Sequence, residues 1–301
     1  MEYPPLHTEV SAATQHGQPS ALTLSIWQVT LRKNLIIVCA GDQSLHTHWL
    51  VSDRQYDVMV IYFGENQHIA DAYQSQCDFF FREKGLKFEL ARKVLLHKLW
   101  FDEKLDFYQW DYIWFADDDL HFDAPHSANA LFQTARSLRA DFFQPAIGNG
   151  NANPAWEPTK VIDGAIAHRT NIIEGMMPGF SSECFINTFF GSLHAMDFSV
   201  SGWGLEVIFA RVAEAIFNRP VRTFVIDSVP INHTRYRSDG GGQGDRRGMY
   251  EAQYVPQIYT NRIRTIAAYK TLSEALTDQD ASVDRDRWAA ERYHQDRFGR
   301  A

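Results

Sequence analysis

The chain has 301 residues, 45% of them apolar and 14% aromatic, which is enough for a sizeable core and unlike a disordered composition. Its 29 basic and 37 acidic residues leave a net charge of −8, which argues against a nucleic-acid footprint or a polybasic membrane patch. No apolar run reaches bilayer-spanning length and no signal-like segment follows Met1, so a cytoplasmic protein without a transmembrane segment is expected.

Residues 1 to 30 mix Pro, Ser, Thr, His and Gln without period and read as an N-terminal extension. Order begins at Asn34. Leu-Ile-Ile-Val-Cys-Ala (35–40) predicts a buried strand ending in Gly41-Asp42. Val58 to Phe63 predicts a second strand and Phe79 to Phe81 a third. Phe88, Ala91, Leu95 and Leu99 then recur at helical spacing, with Lys87, Glu89, Arg92 and Lys93 on other faces. The three cysteines, Cys39, Cys77 and Cys184, are odd in number and far apart, so they read as reduced, mostly buried thiols.

The stretch Asp111-Tyr-Ile-Trp-Phe-Ala-Asp-Asp-Asp-Leu organises the rest. Tyr112 to Ala116 lack a period of two, as a strand buried on both faces would. Asp117, Asp118 and Asp119 emerge where that strand ends. Alternation places Asp117 and Asp119 on one side and turns Asp118 away. Two converging carboxylates repel unless a cation lies between them, and hard divalent ions take oxygen ligands shared with phosphates. A solvated acidic turn is the plainer reading, and an apolar strand running straight into the triplet favours the metal. Strands alternating with helices predict βαβ units and a mostly parallel sheet, with ligands outside the strands' carboxyl ends.

Asp123, with Pro125 after it, is expected to cap a helix whose stripe is Ala128, Leu131, Ala135 and Leu138. Gly148 to Pro158 reads as a loop. After Ser-Gly-Trp-Gly-Leu-Glu (201–206), the residues Leu205, Ile208, Phe209, Val212, Ala213 and Ile216 form a helical stripe that puts Glu206 in the first turn. There the helix dipole alone would favour a carboxylate; the flexible Gly-Trp-Gly in front carries a ring able to stack on a sugar. A last strand, Thr223 to Ile226, is expected to end at Asp227, six residues before His233. Residues 235–250 hold five glycines and four arginines, without the spacing of a phosphate-loop NTPase, and read either as a basic flap or as a plain loop.

Four of these blocks, in this order, resemble the GT-A glycosyltransferases: Asp111 to Leu120, Ile173-Glu-Gly-Met-Met-Pro-Gly-Phe-Ser, Gly202-Trp-Gly-Leu-Glu, and Val225-Ile-Asp-Ser on to His233. The resemblance is nearer still to a plant and bacterial subgroup of that superfamily described as a domain of unknown function. It covers roughly residues 34 to 235, and departs where plant members carry Asp at the position of Glu206. It implies an α/β, GT-A-like (Rossmann-like), mostly parallel central sheet flanked by helices. The single catalytic domain would span 31–276, with a charged tail at 277–301. It further implies a metal-dependent, hexosyltransferase-like enzyme using a nucleotide-sugar donor, a UDP-sugar first among candidates, and a carbohydrate or other hydroxyl acceptor.

On this resemblance Asp119 and His233 hold Mn²⁺ or Mg²⁺, with Asp117 on the ribose or the metal. Gly41, Asp42, Lys87 and Asp118 line the donor. Trp203 and Gly204 meet the acceptor, and Glu206 is the general base of an inverting displacement. The alternatives are a nucleotidyltransferase or phosphohydrolase on the same Asp-x-Asp, and a non-catalytic sugar-nucleotide-binding protein. The first needs a third metal carboxylate that the sequence does not offer; against the second stand intact Asp117, Asp119, Glu206 and His233.

Overall fold

The computed structural model describes residues 34–148, 157–195, 205 and 208–234. The N-terminal extension, the 235–250 loop, the C-terminal tail, most of the 148–158 loop, and Trp203, Gly204 and Glu206 lie outside the described residues.

Nine strands form one sheet among the described residues: β1 (Asn34–Ala40), β2 (Asp57–Tyr62), β3 (Phe79–Arg82), β4 (Tyr112–Ala116), β5 (Leu120–Phe122), β6 (Phe142–Ile147), β7 (His168–Arg169), β8 (Gly179–Ser181) and β9 (Thr223–His233). Their order is β3-β2-β1-β4-β8-β6-β9-β5, with β7 also on β9. The first four strands run parallel, as the predicted βαβ units require. The sheet as a whole is mixed. Three-residue β8 lies antiparallel between β4 and β6, and β5 and β7 lie antiparallel along β9. This is the α/β, GT-A-like layout.

Alternation along the strands sorts the core into two layers. Leu35, Ile37, Cys39, Ile113 and Phe115 face one layer, and Ile36, Val38, Ala40, Trp114 and Ala116 the other. Both faces of β1 and β4 are therefore covered, so neither strand shows a polar face. Complete burial of a ring such as Trp114 or Phe115 is worth about 1.5–3 kcal/mol.

α1 (Gln67–Gln74) precedes β3, and the first layer is covered by α2 (Lys87–Leu90), which widens into a π-helical run, Ala91–Asp102. Phe88, Ala91, Leu95 and Leu99 are all buried there, as their spacing predicts. The stretch from Cys184 to Leu193 belongs to a second helical passage, from Ser182 to Ala195. Phe180, Phe185, Phe189 and Phe190 pack against one another along it. A β-carbon at Gly179 would stand 2.6 Å from the Phe143 ring, which is why β8 carries glycine where it crosses β6. The helix Phe209–Phe217 buries Phe209, Val212 and Ala213 on the same layer.

Two expectations are corrected. Asp123 does not cap the following helix, which is α3 (Ser127–Ser137) and has His126 at its cap position with φ 63°. That left-handed turn delays the helix, and Asp123 accepts a hydrogen bond from Asn232 Nδ2 at 3.0 Å instead. The last strand does not end at Asp227. β9 runs on through Pro230 to His233, because the buried Asp227 carboxylate is satisfied laterally: it accepts from Ile162 N at 2.7 Å and lies 2.8 Å from His168 Nδ1.

Candidate active site

The site forms where β1, β4 and β9 end and α2 begins. β5 turns back beside β9, with Leu120 opposite His233. That register brings the histidine next to Asp119 across more than a hundred residues of sequence. His233 Nε2 stands 2.9 Å from Asp119 Oδ2, with each side chain 16% exposed. The Thr234 amide and hydroxyl both donate to the Asp119 carbonyl at 3.0 Å, fixing the backbone of the pair.

Asp117 continues the face of Ile113 and Phe115, and so lies under the start of α2. Lys87 Nζ reaches Asp117 Oδ1 at 2.7 Å, and also donates towards the carbonyls of Met176 at 2.7 Å, Gly175 at 3.1 Å and Phe115 at 3.3 Å. Desolvation raises the carboxyl of Asp117 above its ordinary range, against the opposing pull of Lys87. Burial alone would lower His233, but the hydrogen bond to Asp119 and the charges of Asp119 and Asp117 outweigh it and raise the imidazole.

Asp118 turns the other way. Its Oδ2 accepts from Gly41 N at 2.8 Å, and its carbonyl accepts from Leu45 N at 2.6 Å. It thus fastens the Gly41–Leu45 loop to the acidic turn. Asp42 projects from that loop, exposed, and its carboxylate accepts from the Tyr62 hydroxyl. The bond from Tyr62 holds Asp42 below the usual carboxylate range, while burial and Asp42 push the phenol up to about 12. A β-carbon at Gly64 would collide with both groups, so the turn after β2 needs glycine.

Ligand atoms of Asp117, Asp119 and His233 lie within 4.8 Å of one another. Two ligands at about 2.2 Å on opposite sides of one ion are about 4.4 Å apart, so the group closes on a single cation with small side-chain adjustments. Two carboxylates and an imidazole suit Mn²⁺ somewhat better than Mg²⁺. Of the residues the sequence nominated, the structure gathers Gly41, Asp42, Lys87, Asp117, Asp118, Asp119 and His233 around one end of the sheet. Tyr62 and the carbonyls of Gly175 and Met176 were not nominated. Tyr62 reads in sequence only as an apolar strand residue, and a backbone carbonyl leaves no sequence signal.

No protein-family model and no curated protein matches the chain. Solved structures do. Crystalline GalNAc-T7 with UDP, GalNAc and Mn²⁺ is 12% identical with a TM-score of 0.50, over 83% of this chain and 55% of that one. The mannosyltransferase PcManGT from Pyrobaculum calidifontis, in complex with GDP-Man and Mn²⁺, is 12% identical with a TM-score of 0.48, over 83% and 75%. S. aureus TarS 1–349 is 9% identical with a TM-score of 0.47, over 67% and 60%. This chain thus spans less than two thirds of the TarS and GalNAc-T7 structures. At such identities the likeness to GalNAc-T7 is one of fold.

Proposed function

We propose that this chain is a metal-dependent glycosyltransferase, moving a sugar, a hexose first among candidates, from a nucleotide-sugar donor to an acceptor hydroxyl. The observation that carries this reading is the meeting of Asp117, Asp119 and His233 at the carboxyl end of β4, in a GT-A-like sheet. The GalNAc-T7 structure, which shares that fold, contains UDP and Mn²⁺. A UDP-sugar and Mn²⁺ are therefore the donor and ion to test first.

Asp119 and His233 would hold the ion, with Asp117 beside them. When bound, the metal supplies a Lewis acid for the charge that develops on the departing nucleoside diphosphate. The chain's own groups do the rest. Asp42, whose carboxylate accepts the Tyr62 hydroxyl, would accept hydroxyl hydrogen bonds from the nucleoside, and Asp118 keeps its loop against the acidic turn. Glu206 takes the proton from the acceptor hydroxyl in a single inverting displacement, and Trp203 and Gly204 seat the acceptor. The catalytic domain comprises residues 31–276.

The test is donor turnover. Incubated with Mn²⁺ and a panel of nucleotide sugars, the protein should release nucleoside diphosphate from one donor, and Asp119→Asn should not. Release of pyrophosphate instead would identify a nucleotidyltransferase. No turnover, with nucleotide still bound, would leave a binding protein.

A further inference from the structure

Lys87 pairs with Asp117 of the acidic cluster at 2.7 Å, and its surroundings define what it does. Its ammonium carries three protons and faces four acceptors: Asp117 Oδ1 at 2.7 Å, and the carbonyls of Met176 at 2.7 Å, Gly175 at 3.1 Å and Phe115 at 3.3 Å. The side chain is only 15% exposed, and the ammonium lies 4.6 Å from the centre of the Phe115 ring and 5.7 Å from that of Phe88. Every proton is engaged and the stem is packed. A donor phosphate could be gripped only by breaking that set.

The charge, by contrast, acts where it stands. Asp117 and Asp119 offer two negative charges to a dication, and Lys87 cancels one of them. We propose that Lys87 is the resident counter-cation of the metal cluster: it neutralises Asp117 and thereby weakens the hold of the bare cluster on a divalent ion. Resting on the metal-dependent reading above, this makes metal capture depend on the oxygens and charge of an incoming nucleoside diphosphate. The bare cluster binds the ion loosely and the nucleotide completes the site. The same ammonium ties the backbone at Gly175 and Met176 to the end of β4, where Asp117 N donates to the Met176 carbonyl at 2.8 Å.

The direction of the effect separates this role from two others. A lysine that merely supports the site would, on removal, loosen the cluster and weaken metal binding. A lysine that grips phosphate would leave binding of the metal alone unchanged. A counter-cation does the opposite of the first: its removal strengthens metal binding. A unit charge about 6 Å from a dication changes its affinity about tenfold even at the dielectric constant of water.

The experiment titrates MnCl₂ alone, without nucleotide, into the full-length wild type and Lys87→Met, reading free Mn²⁺ by electron paramagnetic resonance. Lys87→Met should bind Mn²⁺ at least about tenfold more tightly. In EDTA the variant should melt below the wild type, and added Mn²⁺ should raise its melting temperature by more. Lys87→Gln keeps an N–H donor for the carbonyls while losing the charge, and gives the same reading if Lys87→Met does not fold. Equal or weaker Mn²⁺ binding in the variants overturns the counter-cation role and leaves the metal site standing. Absence of Mn²⁺ binding in wild type and variants alike, both without nucleotide and with UDP added, overturns both.

Discussion

Replacing Asp119 by Asn tests the acidic turn most directly, with Asp118→Asn as its internal control. Asp119 pairs with His233 at 2.9 Å, and both belong to the group that closes on one ion. A carboxylate about 2.2 Å from a dication contributes roughly 4 kcal/mol even at ε ≈ 80, and losing that charge weakens binding on the order of 10²–10³-fold. The metal-free protein should lose no more than about 1.5 kcal/mol, because Asn still offers His233 an oxygen but not a charge. Asp118 behaves differently. Its Oδ2 accepts the Gly41 amide at 2.8 Å, and Asn keeps that acceptor while losing the charge assistance, for a cost of about 0.5–1.5 kcal/mol. Its charge acts on the ion only from a distance, so Mn²⁺ affinity should fall by less than about tenfold. Mn²⁺ titration and thermal denaturation of the two variants beside the wild type check this. Equal loss of Mn²⁺ affinity in both would refute the assignment of the two sides of the turn.

The buried ion pair at Asp141 gives a pH test. Burial alone would raise this carboxyl, but the hydrogen bonds from Arg219 (2.9 Å to each oxygen) and from Arg222 N, with the arginine charges, outweigh it and hold the group below the ordinary range. A lowered folded-state value means stability that is present above about pH 4 and is lost as pH falls through that lowered value. Asp141→Asn should therefore cost about 2–3 kcal/mol at pH 7, the arginines re-solvating in part, and the difference in melting temperature should close in acid. Tyr62→Phe removes the hydroxyl that holds Asp42; calorimetry should show nucleoside diphosphate affinity falling several-fold, with a stability change no larger than about 1.5 kcal/mol. Glu206→Gln should lower turnover about 10²–10⁴-fold with donor affinity unchanged, and near-normal turnover would remove it as the base.

The parallel strands were legible because they are uninterrupted apolar runs closed by glycine or charge. β1 and β2 fall within one residue of their predicted bounds. The antiparallel half was not. β6 reads Phe-Phe-Gln-Pro-Ala-Ile, and a proline inside a run argues against a central strand. It is tolerated because the β6–β9 register shifts after Pro145. Gln144 is also fully buried, its Oε1 accepting the Glu174 amide at 2.7 Å. Asp227 and Pro230 look like the end of β9 for similar reasons. β7 pairs with β9 before them and β5 after, so the irregular middle need not pair evenly.

The site divides along the same line. The side taken by Asp117 and Asp119 follows from the alternation of β4 carried on into the turn after it, a local property, and the structure brings both close to His233. The place of Lys87 follows from two elements: β4 points Asp117 towards the layer that α2 covers, and Lys87 is the first residue of α2. That much puts a cation near the acidic turn, and the family resemblance implied that it lines the donor. Whether the ammonium turns outward or onto Asp117 is settled by the carbonyls of Gly175 and Met176. These belong to a segment, 172–178, that is neither helix nor strand and so carries no period to read. Alternation and helical spacing locate side chains on regular elements; here the decisive acceptors are backbone atoms of an irregular one. The carbonyls that hold the Lys87 ammonium on Asp117 thus leave no trace in the sequence, and the sign of its effect on Mn²⁺ affinity is what the titration reads.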